Sequence, residues 1–191
     1  LSKAVVKNKA DIGFATDPDG DRLSVVDNLG NPLGEELSLA FCIYYFLKFF
    51  PDLRNNPIVS NLSTSMISEK ISNSFNTPYI RTPVGEINVV KEMKLKKSLI
   101  GGEGNGGIIL QESHLGRDAL VGAAIILSLL SNESSTINEI LGLKVPSIMV
   151  PLPSATNNHQ YYNAKFLSNN KATIIIEEKN LLSDKSLKII R

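Results

Sequence analysis

The chain has 191 residues, 42% of them hydrophobic and 20% charged, a balance that allows one large globular domain or parts of two. Twenty Lys and Arg against nineteen Asp and Glu leave a formal net charge of +1, which excludes the global field that draws nucleic acid or an anionic membrane surface. A single cysteine excludes a disulfide framework and fits a reducing, cytoplasmic setting.

In chain order, residues 1–9 read as the end of a helix, 12–16 as a short strand running into an acid-rich loop, and 23–27 as a second strand. The chain opens on Leu1 with no basic-then-apolar leader, so a piece of something longer is expected. Turn residues at 28–32 close this unit, and a domain boundary is placed after Gly34.

From Glu35 the pattern alternates: helix to Phe50, strand 57–61, helix 64–75, strand 79–81, helix 87–95, strand 98–100. A strand over 107–111 and a helix over 118–130, capped by Asp118, follow, with a short helix over 136–141. Such alternation predicts an α/β fold with a mixed or parallel sheet and crossover helices. The apolar run 37–50 holds Cys42 but is broken by Ser38 and Lys48 and is shorter than the ~20 residues a spanning helix needs, so it reads as a buried helix.

Residues 146–158 hold three prolines among Ser, Thr and Asn, the composition of a connector. A strand over 172–176 and a helix over 181–190 are too little for a core of their own. The expected organisation is therefore 1–34, the end of one α/β domain; 35–145, a complete one; and 146–191, a linker and the start of a truncated third.

The run Asp-Pro-Asp-Gly-Asp-Arg at 17–22 sets three carboxylates at alternate positions after an apolar strand, so Asp17, Asp19 and Asp21 can converge. Three hard oxygen ligands suit Mg²⁺ and leave positions for water or phosphate. Arg22 adds a forked cation beside them, which suits phosphoryl chemistry. A solvated acidic turn is the plain alternative, but crowded carboxylates repel without a cation. A calcium loop of the EF-hand type would need Glu at its twelfth position, where this chain has Asn28.

Residues 100–107, Ile-Gly-Gly-Glu-Gly-Asn-Gly-Gly, let backbone approach a ligand closely, with Glu103 and Asn105 the side chains expected to reach outward. An acid and an amide suit vicinal sugar hydroxyls better than a phosphate. Neither glycine-rich nucleotide fingerprint fits, since no Gly-Lys-Ser/Thr follows and the loop opens a strand. Residues 81–86, Arg-Thr-Pro-Val-Gly-Glu, put Glu86 at the carboxyl edge of the same sheet, where ligands of open α/β sheets collect.

These segments in this order resemble the α-D-phosphohexomutase family, and Gly-Arg-Asp-Ala at 116–119 resembles it too. The resemblance covers residues 1–143 and implies a fragment comprising the end of a second domain and a third domain. It further implies that Asp17, Asp19 and Asp21 bind Mg²⁺, Arg22 assists the phosphoryl group, Glu103 and Asn105 hold sugar hydroxyls, and Thr82, Gly85 and Glu86 line the cleft. The expected partners are a hexose phosphate, a hexose bisphosphate intermediate and the remaining domains of the same polypeptide.

Departures from the family pattern are visible as well. The sequence has no Ser-His-Asn-Pro loop, residues 153–156 lack the family's Arg-Pro-Ser-Gly-Thr phosphate loop, and Gly107 stands where many relatives have His. His114 reads as a solvated loop residue. The Gly-Glu-x-Asn-Gly-Gly variant is most similar to glucosamine-type members, with mannose- and glucose-type members, or a non-catalytic sugar-phosphate binding module, as alternatives.

Overall fold

A computed structural model of the chain describes residues 1–133, 135–142, 147–149 and 173–175. Residues 1–136 form one compact unit and residues 137–191 another.

In the first unit, α1 (Ser2–Asn8) leads into an antiparallel hairpin of β1 (Ile12–Thr16) and β2 (Leu23–Asp27). Next come α2 (Glu35–Phe49), β3 (Ile58–Asn61), α3 (Met66–Ser74), β4 (Tyr79–Thr82) and α4 (Glu86–Lys96). The unit finishes with β5 (Ile100–Glu103), β6 (Gly107–Leu110) and α5 (Ala119–Asn132). The second unit contributes α6 (Ile137–Gly142) and the parallel pair β7 (Ser147–Met149) and β8 (Thr173–Ile175).

The main sheet runs β4-β3-β5-β6; β3 is parallel to both β4 and β5, and β6 is antiparallel to β5. The mixed sheet with crossover helices agrees with the sequence reading. Val59 and Ile109 pack against Val89, Val90 and Met93 of α4, closing one face with a dry core. On the other side Leu39 of α2 lies against Gly102, and Ile108 lies against Gly122 of α5.

Helix α2 is apolar on nearly every side, and Leu37, Leu39, Phe41, Ile43 and Leu47 are all buried. Such a helix is stable only inside a core, where each large side chain contributes about 1.5–3 kcal/mol. Burial lifts the Cys42 thiol above its usual range, which leaves it unreactive, and no helix among the described residues is long and apolar enough to cross a membrane.

Residues 1–34 and the sheet unit are not separate bodies. Ser38 Oγ of α2 donates to the Leu23 carbonyl at 2.7 Å, and Leu23 N–H donates to the Gly106 carbonyl at 2.9 Å. Gly34, where the sequence reading sets a domain boundary, lies at the turn between these packed segments. Ser147–Met149 is also a strand, although its surroundings read as a connector: three residues with a parallel partner outweigh the prolines around them. The helix expected over 181–190 lies outside the described residues.

Candidate active site

The acidic loop is closed by its own backbone. Asp17 Oδ1 accepts from the N–H groups of Asp21 and Arg22, both at 3.2 Å, and its Oδ2 accepts from Arg22 Nε at 2.7 Å. That Arg22 bond is the main reason the Asp17 carboxyl is held down at about 2. Asp19 is exposed and has no side-chain partner among the described residues. Asp21 pairs through Oδ2 with Arg117 Nη2, while its Oδ1 is buried with no hydrogen-bond partner. Burial pushes the Asp21 carboxyl upward against the pull of Arg117.

The glycine-rich segment is tighter than its composition suggests. Strand β5 continues through Gly101 and Gly102 to Glu103, which sits opposite Gly107 on β6, so the turn holds only residues 104–106. Gly106 takes φ +87°, and a Cβ there would meet the Leu23 carbonyl at 2.5 Å, so the hairpin tip can touch the end of the acidic loop. Glu103 is consequently a buried strand residue, 5% exposed, and not the outward-reaching loop side chain that the glycines suggested.

A buried carboxylate needs partners, and Glu103 has two. Oε1 accepts from Asn61 Nδ2 at 2.6 Å and Oε2 from Arg117 Nη1 at 2.7 Å. Asn61 is held in turn by Thr64, whose amide and hydroxyl donate to its Oδ1, and Thr64 Oγ1 accepts from the Gly104 amide at 3.0 Å. Glu36, at the start of α2, lies against Gly104 and accepts from the Ser65 amide at 3.0 Å; burial raises its carboxyl above the usual range. Asn105 folds back, its Oδ1 accepting from the Gly107 amide at 3.2 Å.

Arg117 joins the two loops. Besides Asp21 and Glu103 it meets Glu86, whose Oε1 accepts from the Arg117 amide at 2.9 Å and whose Oε2 lies 3.4 Å from Arg117 Nε. Asp21, Glu86 and Glu103 therefore converge on one guanidinium, although they lie in separate segments. Thr82 is buried and donates toward the Ser60 and Pro83 carbonyls, and Gly85 caps α4 at φ +117°. His114 is half exposed, with Nε2 3.0 Å from Asp118 Oδ2.

Sequence reasoning missed Arg117, Asn61 and Glu36. The signal for Arg117 was the Gly-Arg-Asp-Ala run at 116–119, noted for its family likeness but given no chemical role. Asn61 and Glu36 sit in regular elements and carry no local mark.

Among the described residues, no three His, Cys, Asp or Glu side chains form a ready-made metal cluster. Asp17, Asp19 and Asp21 therefore do not converge on one point here: Asp17 is engaged by Arg22 and two backbone amides, Asp21 pairs with Arg117, and Asp19 is exposed. Asp17, Asp21, Glu86 and Glu103 face two guanidinium groups, Arg22 and Arg117, and the buried Asp21 Oδ1 has no hydrogen-bond partner, with Arg22 Nε 3.8 Å away; these carboxylates are hard oxygen donors.

The family model "Phosphoglucomutase/phosphomannomutase, alpha/beta/alpha domain III" matches residues 35–146. The chain belongs to the phosphoglucomutase/phosphomannomutase family. Relatives of this phosphohexomutase chain include the phosphoglucosamine mutase of Chlamydia trachomatis serovar L2, 29% identical over 80% of this chain and 34% of that protein. The phosphoglucosamine mutase of Syntrophus aciditrophicus is 34% identical over 73% of this chain and 31% of that protein. A phosphoglucomutase/phosphomannomutase family protein from Burkholderia thailandensis shares the fold, with a TM-score of 0.62, 20% identity, and coverage of 71% of this chain and 29% of that one. This phosphohexomutase chain spans 34% or less of the length of these relatives. Residues 134–190 also match a second model, the glycosyltransferase family 28 C-terminal domain. That match takes in residues 146–190, read from sequence as a linker and the start of a further domain, together with residues 134–145 of the segment before it.

Proposed function

We propose that the chain is the cation-holding and sugar-reading part of a phosphohexomutase that moves a phosphoryl group between positions 1 and 6 of a hexose phosphate, with glucosamine phosphate the leading substrate. The observation that carries this reading is the junction at Arg117, which sets the acidic loop and the glycine hairpin side by side in one site. Two phosphoglucosamine mutases among the relatives support the choice of sugar.

In this reading Asp17, Asp19 and Asp21 hold Mg²⁺, which when bound supplies positive charge to phosphoryl oxygens. Arg22 is half exposed beside them and can turn its guanidinium to a phosphoryl oxygen while Asp17 keeps its Nε in place. Glu103 has each oxygen engaged once, so one lone pair on each remains for a sugar hydroxyl. Asn105 can donate through its amide nitrogen while its oxygen holds the turn. Orientation by these fixed groups lowers the entropic part of the barrier. In this reading the phosphoryl-carrying serine is supplied from outside the residues that form this site.

The test is isomerisation by a longer version of the polypeptide carrying a serine loop ahead of Leu1, assayed with glucosamine, mannose and glucose 6-phosphates with and without EDTA. Turnover that EDTA abolishes and that is largest with glucosamine 6-phosphate supports the proposal. Binding without turnover of any of the three would favour a sugar-phosphate binding module.

A further inference from the structure

The Glu103 carboxylate belongs to a closed ring of hydrogen bonds whose direction is fixed by two backbone amides. The Thr64 N–H can only donate, so the Asn61 side-chain atom that it meets at 3.1 Å is the oxygen, Oδ1. Asn61 therefore turns Nδ2 toward Glu103 Oε1, 2.6 Å away. The Gly104 N–H likewise donates to Thr64 Oγ1 at 3.0 Å, which leaves the single hydroxyl proton of Thr64 for Asn61 Oδ1 at 2.9 Å. Gly104 follows Glu103 in the chain, and the ring closes.

Asn61, Thr64 and Glu103 are all buried, so a missing bond leaves a polar group unpaired away from water. Ser63 Oγ also donates to Asn61 Oδ1 at 2.9 Å, whereas among the described residues the Gly104 amide has Thr64 Oγ1 alone. The turn that carries Thr64 is held from outside by Arg81, which donates to the Thr64 carbonyl at 2.7 Å and to the Glu69 carboxylate at 3.0 Å.

Resting on the sugar-reading role given to Glu103 above, we propose that Thr64 is a positioning residue for sugar recognition. Its hydroxyl sets the backbone of the glycine turn at Gly104 and, through Asn61, aims an N–H at Glu103. With donors from Asn61 and Arg117 already on its two oxygens, Glu103 reads by accepting only. The ligand groups it selects are donors, hydroxyls or an amine, and never an oxygen that can only accept.

The experiment titrates glucosamine 6-phosphate, and its singly deoxyfluorinated analogues, into the 191-residue chain as wild type, Thr64→Val and Thr64→Ser. Fluorine keeps the size of a hydroxyl but cannot donate, so at least one analogue binds the wild type about tenfold more weakly than the parent sugar. Valine keeps the shape of threonine and loses both hydroxyl bonds, and discrimination against that analogue falls below about threefold. Serine restores it. Should Thr64→Val fail to fold, as judged by circular dichroism, Thr64→Cys replaces it; a thiol is a weak donor and acceptor, and discrimination must again shrink. A wild type indifferent to every analogue, or discrimination kept in Thr64→Val or Thr64→Cys, overturns the proposal. If the wild type binds no glucosamine 6-phosphate, the sugar reading fails on its own, and the positioning is judged without ligand by hydrogen exchange. The Gly104 amide must then exchange about a hundredfold faster in Thr64→Val than in the wild type, and near the wild-type rate in Thr64→Ser. Unchanged exchange at Gly104 in Thr64→Val overturns the positioning role.

Discussion

Gly107 and Arg117 compete for one volume: a Cβ on Gly107 would sit 2.3 Å from Cδ and 3.0 Å from Cγ of Arg117. Those stem atoms are not free to swing away, because the guanidinium is held by Asp21 and Glu103. Gly107→His, the residue the family resemblance leads one to expect here, should therefore cost about 1–3 kcal/mol through overpacking, and Gly107→Ala part of that. Urea denaturation measures the loss. In the Arg117→Ala background the penalty should shrink, because the obstructing stem is gone.

Asp19 is exposed and has no side-chain hydrogen bond or ion pair among the described residues, in contrast to Asp17 and Asp21. Asp19→Asn should leave stability within about 0.5 kcal/mol, as expected for a surface change. It should nevertheless weaken Mg²⁺ binding and, in a longer active version, lower turnover. Unchanged magnesium titration curves would remove Asp19 from the ligand set.

Glu103→Gln should alter sugar preference, and the geometry adds a second cost. Glu103 is buried between Asn61 and Arg117, and an amide can accept from only one of them. A loss of about 1–3 kcal/mol in unfolding free energy is expected, measured beside the specificity ratio across the hexose phosphates.

Asp118 caps α5, accepting from the amides of Leu120 at 2.8 Å and Val121 at 3.0 Å, and the Val121 bond leads in holding its carboxyl below the ordinary range. Asp118→Ala should cost about 1 kcal/mol. Because the folded-state value is lowered, this stabilisation is complete above the ordinary carboxylate pKa of about 4 and is lost as pH falls below it. Asp118→Asn should keep much of the cap and remove that acid sensitivity, as read from melting temperatures between neutral and acid pH.

Element types were legible wherever one periodicity dominated: the alternation of helices and strands from Glu35 onward, and the capping role of Asp118, follow from local pattern. The glycine segment misled because Gly101 and Gly102 have no strand preference of their own. Their extended form comes from pairing with Val59 and Ser60 on one side and Ile109 and Ile108 on the other, contacts made by residues distant in sequence. Arg117 was hidden for a related reason. A lone arginine in a loop looks solvated until the fold brings three carboxylates around it. The acidic loop was legible as a loop between two strands, but Asp17 taking Arg22 and Asp21 taking Arg117 as partners was not, since those pairings depend on how the turn closes and on which segment meets it.

The Leu23–Gly106 and Ser38–Leu23 bonds bear on how such sequences can be exchanged between relatives. A crossover at Gly34 would look innocuous in an alignment, since turn residues tolerate replacement. It would pair one parent's hairpin with the other's helix and glycine tip, leaving three mutually fitted backbones to be matched by chance. Viable chimaeras should instead inherit residues 12–119 from a single parent.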